Sequence, residues 1–128
     1  MFEMPGIMTM AAASLSNASV RLSAIAQNVA NADTPGYRAK DGPDFAQAYL
    51  QDGGFGLRQT RPGHRGASTD TGAPALSERA GGHMSPNGNN VSLEDEMMRA
   101  AQIRQDSDLA LGIYKSSLNI LRASLGRR

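Results

Sequence analysis

Few side chains in this chain have the types and spacing that catalysis or metal binding would need. The 128 residues include no cysteine and two histidines, so thiolate chemistry, disulfides and cysteine-based zinc sites are excluded. His64 and His83 both lie in a glycine-rich stretch, and neither has a second metal ligand three or four residues away. We interpret both as solvated loop histidines and predict no metal site.

The charged clusters are also explained without a bound ligand. Three consecutive carboxylates, at residues 94–96, could serve acid–base chemistry, but they open a predicted helix, where the helix dipole favours anions. A basic cluster comprises Arg58, Arg61, His64 and Arg65. It could contact an anionic surface, but it also fits a solvated loop. No nucleophile elbow or phosphate-binding loop is present, and a net charge of +1 gives no reason to expect nucleic acid. We therefore predict no enzyme activity, no cofactor, no small-molecule substrate and no nucleic-acid partner.

The apolar residues of the N-terminal quarter follow an unbroken heptad repeat. Steps of three and four alternate along Met8, Ala11, Leu15, Ala18, Leu22, Ile25, Val29 and Ala32. This a/d spacing predicts one helix over residues 7–32 with a narrow seam that packs against a partner helix. Ordinary helix packing explains such a stripe far better than a ligand site.

The stretch NVANADTPGY, at residues 28–37, ends this helix. Thr34 precedes a proline, which disfavours the α conformation. Pro35 and Gly36 suit the second and third positions of a type II turn. The Asn and Asp side chains of the stretch can bond nearby backbone groups, as at many helix ends.

The middle of the chain, residues 38–90, has little that could form a core. A short helix is predicted near residues 43–50, with Pro43 in its first turn. Residues 51–90 contain nine Gly and three Pro, so they cannot bury enough surface to offset backbone entropy. We predict a largely irregular segment with one short hairpin at residues 57–60.

A second long helix is predicted from Ser92 onwards. Ser92 is a good N-cap, and Asp95 stands where a capping box has its acidic residue. Its seam, interrupted by Arg104 and Ser107, comprises Leu93, Met97, Ala100, Leu111, Tyr114, Leu118, Leu121 and Leu125. Three further apolar residues, Leu109, Ile113 and Ile120, lie off this seam. The second half is therefore expected to contact more than one neighbour.

These elements predict an all-α chain in which two long N- and C-terminal helices pair as an antiparallel coiled-coil-like hairpin. Residues 1–37 and 91–128 would form one assembly domain, with the Gly/Pro-rich segment between them. A two-helix pair buries each apolar side chain only partly, while ordering the backbone costs entropy. We expect an isolated chain that is partly disordered and becomes helical on assembly. No apolar run is long enough for a transmembrane segment.

The turn between the helices carries a resemblance to a known family. In the bacterial flagellar axial proteins, which include rod and hook subunits, a similar run closes an N-terminal heptad helix that pairs with a C-terminal one. The matching residues are Asn28, Asn31, Ala32, Asp33, Thr34, Pro35, Gly36 and Tyr37.

Within that family the chain resembles one of the small proximal rod proteins. The residues after the turn, the segment around residues 57–64 and the run at residues 87–91 before the acidic helix start all carry this likeness. A departure is the Gly42-Pro43 pair. A small rod protein of the FlgC type, or a type III secreted helical binding protein or effector, remains an alternative.

The resemblance implies a structural subunit of the flagellar basal-body rod, the drive shaft that crosses the periplasm. Its partners would be further copies, other rod subunits, the FliE adaptor and the flagellar export gate. It would be exported through the flagellar type III apparatus, in keeping with the absence of a Sec-type signal pattern at the N-terminus.

Overall fold

The computed structural model describes residues 6–52, 76–79, 81 and 84–126, with no side-chain description at 50–52. Its elements, in chain order, are helix α1 (Gly6–Ala30), strand β1 (Lys40–Asp41), helix α2 (Phe45–Asp52), strand β2 (Ser77–Glu78) and helix α3 (Leu93–Ser124). The predicted hairpin at 57–60, both histidines and the basic cluster lie outside the described residues. A short helix was predicted near 43–50, and α2 begins two residues later.

Helices α1 and α3 pack against each other in an antiparallel pair. Asn28, near the end of α1, contacts Glu96, near the start of α3, and Ala18 and Ile25 pack with Ile103 further along. The helices have 25 and 32 residues, so they are about 38 and 48 Å long. The predicted fold class, two long terminal helices with a less regular middle, is confirmed.

The face of α3 that contacts α1 is a heptad stripe of small and polar residues. Its buried and half-buried members are Glu96, Ala100, Ile103, Ser107, Ala110, Tyr114, Ser117 and Leu121. Small side chains let the two backbones approach closely. Because several members are polar, an apolar heptad pattern in the sequence does not include this repeat.

The predicted seam residues divide into two groups in this structure. Buried or half-buried are Met8, Ala11, Leu15, Ala18, Ile25, Ala32, Ala100, Tyr114, Leu118 and Leu121. Exposed are Leu22, Val29, Leu93, Met97, Leu111 and Leu125. The exposed six are less covered within one chain than the rest of the seam, and Asn28 and Glu96 occupy contact positions that an apolar repeat leaves out. The role of the seam in assembly stays a prediction.

A two-stranded ribbon and α2 cover one side of the helix pair, which we call the front side; the opposite side is the back side. Strands β1 and β2 are antiparallel, with Lys40 opposite Glu78. Gly42 lies so close to α1 that an added Cβ would stand 3.1 Å from the Cγ of Arg21. The Gly-Pro pair therefore lets the chain cross α1 closely before α2 begins.

Two kinds of feature were sought in the described part of the chain and not found there. None of its helices is both long and apolar enough to cross a membrane. The same residues contain no group of His, Asp or Glu arranged to hold a metal ion.

Candidate functional site

The candidate site is the junction where α1 ends and α3 begins, built from the turn at residues 28–37, the run at residues 87–90, and the side chains of Arg79 and Glu96. Helix α1 ends at Ala30, before the proline turn, as predicted. The amide of Tyr37 donates to the Thr34 carbonyl at 3.3 Å and closes the turn. Gly36 has a φ of 73°, the left-handed conformation that its place in a type II turn requires.

Asn28 is fully buried and uses both ends of its amide. Its Oδ1 accepts from the Lys40 amide at 2.8 Å and from the Tyr37 hydroxyl at 3.3 Å. Its Nδ2 donates to the Lys40 carbonyl at 2.8 Å and to Glu96 Oε2 at 2.9 Å. One side chain therefore holds β1 and the start of α3 against the end of α1.

Glu96 is a fully buried carboxylate in the first turn of α3. Arg79 Nη1 lies 2.7 Å from its Oε1, and the Arg79 side chain is 14% exposed. With Asn28 on the other oxygen, the charge is both paired and hydrogen-bonded, as burial requires. The interpretation of residues 94–96 as a response to the helix dipole alone is therefore wrong for Glu96.

Asn89 caps the C-terminal end of α1, although it is 55 to 58 residues away in the sequence. Its Nδ2 lies within 2.9 Å of the carbonyl oxygens of Asn31, Ala32 and Thr34. Its Oδ1 accepts from the Val91 amide at 2.7 Å. Carbonyls at a helix end lack intrahelical partners, so this buried side chain satisfies the turn and fixes it to the chain that enters α3.

Two hydrogen bonds and one close approach of the backbone complete the junction. The Gly36 amide donates to the Asn87 carbonyl at 2.9 Å, and a Cβ on Gly88 would stand 3.5 Å from the Gly36 Cα. The Asn90 Oδ1 accepts from the Ala39 amide at 2.7 Å. The two turns thus lock together.

An ionic bridge joins the ribbon to both helices on the front side. Asp41 lies 3.4 Å from Arg21 on α1 and 3.1 Å from Arg99 on α3. Arg21 also reaches Asp44 at 3.3 Å. This partly exposed set reinforces the orientation that the junction establishes.

Further along the helix pair, towards the start of α1, the front side carries an open apolar groove of about 310 Å³, which we call the front groove. Apolar side chains from α1, α2 and α3 line it: Ile7, Met10, Phe45, Leu109 and Ile113. The carboxylates of Asp44 and Asp106 lie on its border.

The back side carries exposed apolar residues from both helices, which we call the back stripe. On α1 these are Leu22 and Val29, 37% and 40% exposed, and on α3 they are Leu93, Met97 and Leu111, 51%, 70% and 39% exposed. On α1, Leu22 and Val29 each follow a residue that contacts the ribbon, Arg21 or Asn28, so they lie about 100° round the helix from the front side. The structure thus turns several predicted seam residues outwards.

The junction is suited to holding a shape. Among the described residues, no buried side-chain nitrogen or oxygen lacks a hydrogen-bond partner. A fully satisfied polar network rigidifies the elements that it joins. The network therefore fixes the angle at which the chain leaves the helix pair.

Sequence reasoning found one half of this site. The turn motif was identified, and in the structure Asn28 is buried, Asn31, Ala32 and Tyr37 are half-buried, and residues 33–36 are exposed. The roles of Asn89, Asn90, Glu96 and Arg79 were missed. The run of Asn and Gly at residues 87–90 was the available signal, because such a cluster before an N-cap can satisfy a second chain end.

Comparison with known proteins agrees with the turn and its setting. The family model described as flagella basal body rod protein matches residues 8–38, which cover most of α1 and the turn. The flagellar basal body rod protein FlgB of Agrobacterium fabrum is 36% identical over 104 residues, 77% of this chain and 76% of that protein. FlgB of Aeromonas hydrophila is 29% identical over 114 residues, 87% of this chain and 80% of that protein.

These relatives agree with the resemblance of the turn and favour neither the FlgC type nor a secreted helical binding protein. The chain belongs to the family of flagellar basal body rod proteins that includes FlgB.

Proposed function

We propose that this chain, a structural subunit of the flagellar basal body rod, polymerises through its paired terminal helices into the drive shaft needed for motility. The observation that carries the proposal is the back stripe. It lies on a helix pair whose own polar groups are satisfied at the junction. An apolar surface beside a rigid polar junction is a surface for association.

The helix pair supports this role because it is short of internal core. Its largest cluster of buried apolar residues comprises Ala18, Ile25 and Ile103, with Ala100 beside them. Many large apolar side chains stay exposed, including Met97 at 70% and Ile120 at 67%. Burying such groups between subunits stabilises an assembly at about 25 cal/mol per Å² of apolar surface.

The proposed organisation follows from the same division. The proposed assembly domain comprises residues 1–37 and 91–128, with residues 38–90 as the segment between them. The proposed partners are further copies, other rod subunits, the FliE adaptor and the export gate. Export through the flagellar type III apparatus and a periplasmic location complete the proposal. The family supports a rod setting, and the likeness of the turn supports these finer features.

A complemented deletion strain tests the proposal. Deleting the gene should abolish swimming and the formation of rods, and the natural chain should restore both. Leu22→Asp should fail to restore them, because it places a charge in the back stripe at a side chain that its own chain leaves 37% exposed. Ser23→Asp is the matched control: it adds the same charge at the adjacent exposed residue and should restore swimming.

Two results would contradict the proposal. Normal basal bodies in the deletion strain would rule out a rod subunit. Full swimming with Leu22→Asp would show that the back stripe is not buried between subunits.

A further inference from the structure

The second half of α3 carries apolar residues on both sides of its contact with α1. On the front side, Leu109 and Ile113 line the front groove. On the other side runs a heptad stripe that we call the tail stripe: Leu111, Lys115, Leu118, Arg122 and Leu125. Its last member, Leu125, is 81% exposed. One helix thus presents two distinct surfaces near its C-terminal end.

The charges on these two surfaces are opposite. The front groove has two carboxylates at its border. Asp106 is exposed, and Asp44 has a side chain that is 64% exposed and also lies 3.3 Å from Arg21. The tail stripe has cations, Lys115 and Arg122, between its leucines, and both are exposed. Apolar centres with opposite charges at the edge are the pattern of complementary docking partners.

We propose that the front groove of one copy holds the tail stripe of a second copy. The leucines of the tail stripe would pack on Ile7, Met10, Phe45, Leu109 and Ile113, with Lys115 and Arg122 facing the carboxylates of Asp44 and Asp106. This inference rests on the proposed function as a rod subunit and specifies which surfaces meet.

A second copy is the occupant that the geometry favours. The groove and the tail stripe are different surfaces, so a copy bound through one leaves the other free. A contact between two different surfaces is heterologous, so each added copy offers a free surface for the next. Unless the rotation between copies closes a ring, such contacts generate a helical filament. A groove that bound itself in a two-fold pair would bring Asp106 of each copy together and would end growth at two chains.

Disulfide cross-linking in assembled basal bodies tests the contact directly, because the natural chain has no cysteine. Two differently tagged versions are expressed together in the deletion strain, one with Ile113→Cys in the groove and one with Leu118→Cys in the tail stripe. Mild oxidation should produce a species that carries both tags. As a control, Ile113→Cys is paired with Ala101→Cys, an exposed residue outside both surfaces, and should give no such species.

Charge reversal provides a second measurement. Asp106→Lys or Arg122→Glu, added to both versions, should each lower the cross-link yield about tenfold, because like charges would face each other at the docked edge. The two changes together should restore the yield, since the pair is opposite again. Glu78→Lys, at an exposed residue of the ribbon outside both surfaces, should leave the yield unchanged.

The proposal is overturned if intact rods contain no cross-link between the two tags, or if the groove cysteine joins a different flagellar protein. Rods are counted by electron microscopy in the same strains. Both overturning results require normal rods, so they refute the proposed contact and leave the proposed rod function intact. If the cysteine versions build no rods, swimming of the charge variants decides. If the two charge reversals together do not restore the swimming that each single reversal lowers, the proposed contact is overturned.

Discussion

At the residue scale, the junction depends on side-chain amides that donate and accept at the same time. Asn28 mimics a neighbouring strand for Lys40, because it bonds both the amide and the carbonyl of that residue. Asn89 instead concentrates its donor on three carbonyls. An aspartate has the same shape and lacks the donor, so an exchange of Asn for Asp tests each role without a change in size.

Asn89→Asp should lower the free energy of unfolding by about 3 kcal/mol, since a carboxylate would face three carbonyl oxygens in a buried place. Asn87→Asp should change it by less than about 0.5 kcal/mol, because Asn87 uses its Oδ1 as an acceptor for the Asn89 amide. Urea unfolding followed by circular dichroism, in a stabilising osmolyte, measures both. Equal effects for the two exchanges would refute the role of the Asn89 donor.

At the element scale, two glycines should respond in opposite directions to the same change. Gly36→Ala should destabilise the chain by about 1 kcal/mol, because its φ of 73° is costly for any residue with a Cβ. Gly112→Ala should stabilise it by about 1 kcal/mol, because alanine is the better helix former. Neither added Cβ would meet another atom within 4 Å, so packing does not confuse the comparison.

Thermal unfolding midpoints and helical content give the sign of each change. Two shifts in the same direction would show that backbone conformation is not the controlling factor. The paired design is useful because both glycines are open to solvent and lose the same single hydrogen atom.

The elements also show what a sequence can reveal of this fold. The end of α1 and the N-cap Ser92, whose Oγ accepts from the Asp95 amide at 3.4 Å, were predicted because local chemistry determines them. The register of the helix pair was only partly predicted, because Glu96 and two serines occupy contact positions. The ribbon has two residues in each strand, too few to show a period.

The candidate site, like the fold, has a part that local sequence determines and a part that depends on distant residues. The turn could be predicted from Thr34, Pro35 and Gly36 alone. The bonds that fix it come from Asn89, 55 to 58 residues away, and the partner of Asn28 on α3 is 68 residues away. No local pattern specifies which distant side chain satisfies a given carbonyl.

At the scale of the whole molecule, the helix pair has many hydrogen bonds at the junction and little apolar packing along the rest of its length. Polar contacts concentrate near Asn28 and Glu96, while the only cluster of fully buried apolar residues in the described part of the chain is small. Stability should therefore be unequal along the pair, with the part distant from the junction opening first.

The dilute chain should show less helix than the structure and should melt with little cooperativity, because exposed apolar surfaces stay without partners. Raising the concentration should increase helical content, since association selects the folded form. Circular dichroism at several concentrations measures this. Strong, cooperative and concentration-independent melting would show that the monomer is self-sufficient.

The long separation between Asn28 and Glu96 has a consequence for the order of events in folding. The N-terminal half carries the turn, but the side chains that complete it are supplied near the other end of the chain. Loops of this length close slowly compared with local helix formation. A nascent or truncated chain that lacks α3 keeps Asn89 but lacks Glu96, so Asn28 and Arg79 each lose a partner at the junction. We therefore expect the complete junction to form only in a chain that contains both long helices.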